Sequence, residues 1–150
     1  MELERAISDT PQKINISNDV LIHVYLSLIR PIFEYASAAF HPNLTSEHSE
    51  ELERLQQISL KVIFSLETSY QTCLDLSGLE RLDVRREALF RNFVVKTYDS
   101  PRFYDRWYVP QQSSGYSLRK ERRVNEYFAL RDRLLNAPLY KARKMINDGL

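Results

Sequence analysis

One stretch of the chain restricts its fold more than any other: the apolar residues of positions 21–39 recur at helical spacing, and a proline lies among them. Steps of three and four residues place these side chains on one stripe of a helix that has Asn18 as its N-cap. Pro31 lacks a backbone N–H and presses on the carbonyl of Ser27, which predicts a kink or a break near Arg30. The members of the stripe are Leu21, Val24, Tyr25, Leu28, Ile32, Tyr35 and Ala39.

If this stripe lies in the core, a charged residue within it should lower the free energy of unfolding. A charge introduced at Leu28 would face the interior, so Leu28→Asp is expected to cost several kcal/mol and to unfold a domain of ordinary stability.

Capping residues and apolar spacing predict further helices along the chain. Thr45 or Ser46 begins a helix that runs to about position 64, Ser69 caps a short one, and Gly78 suits the left-handed residue that closes it. Later helices are predicted over 82–98, 101–107 and 124–135. No segment alternates with period two, so the sequence predicts an all-α, irregular bundle of about five or six helices.

The helix that starts near position 46 has two distinct faces in the sequence. Its predicted buried side consists of Leu52, Leu55, Ile58, Val62, Ile63 and Leu66. Its predicted solvent side consists of Glu50, Glu53, Arg54, Gln57 and Lys61. This amphipathic pattern is typical of a surface helix of a globular domain.

The second half of the chain divides less clearly. Residues 108–117 are rich in turn formers and predict a loop, and positions 136–138 interrupt the following helix before a basic tail whose order the pattern does not establish. The predicted organisation is an N-terminal lead-in over 1–17, a helical domain over 18–107, and a loop plus basic helical tail over 108–150, packed on that domain or flanking it.

Targeting signals are not evident in the sequence. The first residues lack the apolar run of a signal peptide, and charged residues and a proline interrupt the most apolar stretch, at positions 20–40. Cys73 is the single cysteine, which excludes an internal disulfide framework and fits a reducing compartment. The sequence therefore predicts an intracellular protein without a membrane span.

Residues able to make or break bonds do not cluster in the sequence. No Asp-Asp pair is present, and on a helix the side chains of Glu50 and Glu51 diverge by about 100°. The three histidines lack the i, i+4 spacing of a helical zinc site, and the three glycines stand too far apart for a phosphate loop. We therefore expect no catalytic residues, no metal and no cofactor.

Charge is distributed unevenly along the chain. Residues 1–75 carry 5 Lys and Arg against 11 Asp and Glu, a net charge of −6, whereas residues 76–150 carry 16 against 9, a net charge of +7. Guanidinium groups bind phosphates through paired hydrogen bonds, so a basic half can contact a polyanion. The candidate contacts are Arg85, Arg86, Arg119, Lys120, Arg122 and Arg123. Neutralisation of the acidic half, or surface solubility, would produce the same charge pattern.

Several motifs of the first hundred residues resemble one family. The run LSLIRPIFEYASAAFHP at 26–42, preceded by Tyr25, resembles the Y-x-S-x-I-R-P-x-x-E-Y-A-S-x-x-W-x-P segment after the palm of reverse transcriptases from non-LTR, LINE-like retrotransposons. LERLQ at 52–56 is similar to the family's L-E-R-x-Q helix, and Tyr70 with Leu74 to its S-Y…L step. The segment from Leu79 to Arg86 resembles its G-L-x-x-L-x-x-R-R motif. Phe40 stands where the family has tryptophan.

This resemblance implies the thumb and post-thumb region of such an enzyme, without the fingers and palm that hold its catalytic aspartates. It implies a non-catalytic chain that binds an RNA or DNA backbone weakly and without sequence preference. Arg85 and Arg86 match a family motif, whereas the 119–123 cluster is assigned by charge alone. The alternative is a helical protein-interaction or structural domain, whose apolar face meets a polymerase palm domain, a second copy or another partner.

Overall fold

The described part of the chain consists of helices joined by short turns. The computed structural model describes residues 16–64, 66–108, 123–124 and 135–149, and within these ranges the fold is all-α, as predicted, with no strand. The elements are α1 (Asn18–Val24), a π-helical turn (Tyr25–Ile29), α2 (Arg30–Glu34), α3 (Ser37–Phe40), a 3-10 turn (His41–Asn43), α4 (Ser46–Phe64), α5 (Tyr70–Ser77), α6 (Leu82–Tyr98), α7 (Pro101–Trp107) and α8 (Pro138–Asp148).

Most of the predicted helix boundaries are confirmed. The hydroxyl oxygens of Thr45 and Ser69 each accept a hydrogen bond of 3.2 Å from the backbone N–H three residues later, as N-caps do. Gly78 closes α5 in the left-handed conformation, with φ of 65°. The first helix differs by one residue, because Ser17 takes the N-cap position that was predicted for Asn18. The helix predicted over 124–135 lies largely outside the described residues.

Pro31 interrupts the first helix without breaking it. The N–H of Arg30 bonds to the carbonyl of Tyr25, five residues earlier, so the turn before the proline is a π turn. A proline cannot donate to the carbonyl four residues before it, and its ring crowds that turn, so a wider turn accommodates the ring. Where the sequence predicted a kink or a break near Arg30, the structure therefore has a π turn, a local widening within a continuous α1–α2 rod.

Ala36 ends this rod in an unusual backbone conformation. Its φ of 53° lies in the left-handed region, where it is the only non-glycine residue among those described. The Cβ of alanine is crowded in this region, which glycine adopts freely. The chain turns sharply at this point and enters α3.

Replacing Ala36 with glycine is therefore expected to stabilise the protein. Relief of the left-handed strain should raise the free energy of unfolding by about 0.5–1 kcal/mol, measured by urea denaturation. Ala39→Gly is the matched control, because Ala39 is exposed and helical and should lose about 1 kcal/mol. Equal losses in both variants would contradict this assignment.

Two apolar cores lie on different helices. The first contains Tyr25, Leu60, Cys73 and Leu74, and joins the π turn to α4 and α5. The second contains Phe90, Val94, Tyr108, Val124, Ala142 and Ile146, and joins α6 to α8. Tyr108, predicted to start a loop, is fully buried, and its hydroxyl lies 2.8 Å from that of Thr97.

The outward face of the first helix differs from the prediction. Tyr25 is buried, but Leu28, Ile32 and Tyr35 are exposed, with 66%, 72% and 82% of their surface accessible. The predicted core position of this stripe is wrong for these three residues and for Val24 and Ala39, which are also exposed. The expectation that Leu28→Asp unfolds the protein therefore loses its physical basis. The helix is oriented by the buried hydroxyl of Tyr25, whose hydrogen bond to α4 fixes the inner side.

The buried face of α4 was also assigned wrongly. Leu55, Ile58, Val62 and Leu66, which were predicted to be buried, are exposed. Glu53, which was predicted to face solvent, is buried, as are Gln56 and Leu60. Polar side chains with internal partners therefore determine which side of α4 faces the core.

The predicted basic tail is a packed helix over Pro138–Asp148. Arg143 is buried, and its Nε donates a hydrogen bond of 2.8 Å to the carbonyl of Trp107 at the end of α7. The side chain of Asn147 accepts from the N–H groups of Arg123 and Val124, at 2.7 and 3.0 Å, and donates to the carbonyl of Val124 at 3.0 Å. These contacts hold α8 against the second core.

Candidate functional site

The start of α6 is fixed by a carboxylate from another helix. Glu53 of α4 accepts hydrogen bonds from the N–H groups of Leu82 and Asp83, at 3.0 and 3.3 Å. Its other oxygen accepts from the hydroxyl of Tyr70 at 2.5 Å. A negative charge at a helix N-terminus satisfies free N–H groups and interacts favourably with the helix dipole. Glu53 therefore sets the position of the first turns of α6.

Gln56 connects this contact to the first helix. Its Oε1 accepts a hydrogen bond of 2.8 Å from the hydroxyl of Tyr25. Its Nε2 donates to the hydroxyl of Tyr70 at 2.9 Å and to the carbonyl of Glu80 at 3.0 Å. Burial raises the pKa of Tyr25 to about 12, and burial together with the nearby Glu53 carboxylate raises the pKa of Tyr70. Both phenols thus remain protonated donors, and the network holds four elements together.

Arg85 lies one turn into α6 and faces α2. Its Nε donates a hydrogen bond of 3.2 Å to Oε1 of Glu34, and the Nε of Arg30 donates to the same oxygen at 2.7 Å. The Arg30 side chain is 12% exposed and that of Arg85 is 41% exposed. One carboxylate therefore orients two guanidinium groups, of which Arg85 is the more accessible.

These three residues line an open cleft, which we call the arginine cleft. Its volume is about 370 Å³, and its lining consists of Leu26, Arg30, Pro31, Glu34, Tyr35 and Arg85. Two positive charges and one negative charge leave a net positive charge of one. A guanidinium held in place binds phosphate or carboxylate oxygens with little loss of side-chain freedom, and the exposed ring of Tyr35 offers a stacking surface. The cleft can therefore bind an anion that carries a planar group.

Arg86 does not take part in this cleft, and its predicted contact with nucleic acid is not supported. It is fully buried, and its Nη2 donates a hydrogen bond of 2.8 Å to the hydroxyl of Ser49. Its Nε and Nη1 have no hydrogen-bond partner among the described residues. Burial lowers the pKa of the Arg86 guanidinium, against the attraction of Glu53 and Asp83. A group without access to solvent cannot contact a phosphate at the surface.

The other predicted contacts lie in the second half of the chain. Arg119, Lys120 and Arg122 lie outside the described residues. Arg123 is exposed, and its backbone N–H is bound by Asn147. Of the six candidates, the structure thus brings Arg85 into a defined cleft and shows Arg123 at the surface.

Of the six residues that line the cleft, only Arg85 was identified as a site residue from the sequence; the polar residues that were missed are Arg30, Glu34 and Tyr35. The i, i+4 spacing of Arg30 and Glu34 is visible in the sequence and indicates an ion pair on one helix. The contact between Glu34 and Arg85 joins residues 51 positions apart and depends on how α6 packs, which local spacing does not encode.

Groups of three or more residues that could hold a metal ion are absent from the described residues. In the same part of the chain, no helix combines the length and the apolar character needed to cross a membrane.

Comparisons with protein-family models, with curated proteins and with solved structures find no match to this chain. The resemblance to LINE-like reverse transcriptases therefore rests on the sequence motifs alone.

Proposed function

We propose that this chain is a non-catalytic helical module of the LINE-like reverse-transcriptase type, which binds the phosphate backbone of nucleic acid. The observation that carries this proposal is the arginine cleft, in which Glu34 orients the guanidinium groups of Arg30 and Arg85 beside an exposed tyrosine. Phosphate oxygens are among the ligands that guanidinium groups bind through strong, charge-assisted hydrogen bonds.

The composition of the cleft defines the kind of binding. Glu34 cancels one of the two positive charges, so the attraction for a polyanion is modest and sensitive to salt. The lining residues offer contacts to phosphates and a stacking surface, and neither distinguishes one base from another. Binding should therefore be weak and independent of sequence.

The residues that carry the family resemblance support the proposed lineage through their structural roles. Glu53 and Gln56 of the L-E-R-x-Q motif connect α4 to Tyr25, Tyr70 and the start of α6. Glu34 of the R-P-x-x-E-Y motif contacts Arg85 of the R-R motif. These motifs therefore contact one another in space, which explains why their residue types and spacing would occur together.

Replacing Arg85 with alanine tests the cleft. Loss of one charged contact with phosphate should weaken binding to a single-stranded oligonucleotide about 10-fold at low salt and reduce the log–log salt slope by about 0.7. Fluorescence anisotropy across a salt series measures both quantities. Arg91→Ala is the control, since Arg91 is exposed on the same helix and does not line the cleft.

Several results would contradict the proposal. One is the absence of binding to RNA and DNA at low salt, and another is binding that does not depend on salt. Equal losses in Arg85→Ala and Arg91→Ala would show that net charge, rather than the cleft, holds the nucleic acid. Primer extension by the purified chain would contradict its non-catalytic character.

A further inference from the structure

A second surface of the molecule is apolar and has no role in the arginine cleft beyond one shared residue. Five side chains follow each other along the outside of the α1–α2 rod, at steps of four, four, four and three residues. We call them the outer stripe: Val20, Val24, Leu28, Ile32 and Tyr35. Their exposed fractions range from 42% to 82% in the described part of the chain.

We propose that the outer stripe binds a second copy of this chain, with the two rods antiparallel and a two-fold axis passing near Leu28. In this arrangement Leu28 meets Leu28, and Val24 of each copy meets Ile32 of the other. Val20 then meets the turn at Tyr35. Apolar side chains therefore face apolar side chains over the whole stripe, as an isologous interface requires.

The charged residues along the rod are compatible with this pairing. Arg30 and Glu34 bind each other, are 12% and 19% exposed, and line the arginine cleft, so they are not part of the outer stripe. The same axis places Asp19 opposite Ser37. No charged side chain of the rod therefore faces one of like sign, which would oppose the association. A parallel arrangement would instead bring each charged residue next to the identical residue of the second chain, so that like charges would meet.

The exposed area of the outer stripe is sufficient for a weak dimer. Taking about 200 Å² for the surface of one side chain, complete burial of the exposed fractions of the five residues would cover at most about 600 Å² per copy. Two copies would then bury about 1,200 Å², which lies at the lower limit of specific interfaces. We expect a dissociation constant in the micromolar range, because the free energy gained by burying this area is largely offset by the entropy lost on association.

Cysteine cross-linking tests both the partner and the register. Leu28→Cys should form a disulfide-linked dimer under mild oxidation, because the axis brings this position against itself. Val24→Cys mixed with Ile32→Cys should cross-link more than either variant alone. Val62→Cys is the control, since Val62 is 70% exposed on α4 and does not belong to the stripe. The native Cys73 is fully buried and should remain unreactive.

Sedimentation velocity of the full chain provides an independent test. The wild type should change from monomer to dimer as its concentration rises, and Leu28→Asp should remain monomeric because the axis would bring two carboxylates together. Leu28 is exposed, so the circular-dichroism melting curve of this variant should stay close to that of the wild type.

Other outcomes would overturn the proposal. A wild type that stays monomeric up to the highest soluble concentration excludes a second copy as the partner, as does association unaffected by Leu28→Asp. Equal cross-linking of Val62→Cys and Leu28→Cys indicates random collision. None of these results depends on nucleic acid, so they are separate from the test of the arginine cleft. Because the dimer covers Tyr35, which also lines the cleft, a second copy and nucleic acid should compete for this ring.

Discussion

Glu53→Ala is expected to lower the free energy of unfolding by about 3–5 kcal/mol. The carboxylate accepts hydrogen bonds from the hydroxyl of Tyr70 and from two backbone N–H groups at the start of α6. Its removal leaves the buried N–H of Leu82 and two partly buried donors without this partner, and an unsatisfied buried donor costs about 1–3 kcal/mol. It also removes a negative charge that attracts the buried guanidinium of Arg86 and raises its pKa.

Urea denaturation followed by circular dichroism measures this loss. Glu51→Ala is the matched control, because Glu51 lies two residues earlier on α4 and is exposed, so its replacement should change stability by less than about 0.5 kcal/mol. If the two variants had equal stability, Glu53 would not hold α6 in place.

Asn147→Ala is the second substitution with a large expected effect, a loss of about 2–4 kcal/mol. The side-chain amide of Asn147 makes three hydrogen bonds to the backbone of residues 123–124, and alanine makes none of them. Val124 belongs to the second core, so the loss should loosen the packing of α8 against that core as well.

Hydrogen exchange locates this effect. The N–H of Val124 should exchange faster in Asn147→Ala than in the wild type, and the denaturation midpoint should fall. Lys144→Ala serves as the control, since Lys144 is exposed on the same helix and its replacement should change stability by less than about 0.5 kcal/mol. Unchanged exchange at Val124 would show that Asn147 does not hold this segment.

Local sequence signals predicted where the helices begin and end, but they did not predict which face of each helix is buried. Hydroxyl caps at Thr45 and Ser69 and the glycine at position 78 define helix ends through contacts within a few residues, which the sequence contains. The buried face of α4 depends instead on Glu53 and Gln56, whose partners lie on three other elements. A prediction from apolar periodicity assumes that the most apolar side of a helix is buried. In α4 this assumption fails, because the buried side contains polar residues that are hydrogen-bonded to other elements.

The arginine cleft shows the same division. Arg85 was identified from the sequence, and Arg86 was assigned to the same surface although neighbouring residues on a helix point about 100° apart. Only one of the two can face the cleft, and the packing of α6 selects Arg85. This packing depends on contacts with other helices, such as that of Glu53 with the start of α6, of which the sequence contains no local sign.

The π turn at Tyr25–Ile29 absorbs one residue without turning the helix. A turn closed by a five-residue step contains one residue more than an α turn, and its five residues cover about the same rotation as four α residues at about 100° each. Deletion of a single codon within this turn should therefore restore ordinary α geometry while Tyr25 keeps facing Gln56. The same deletion elsewhere in the rod would rotate its two parts by about 100° against each other, and would exchange the inside and the outside of the molecule.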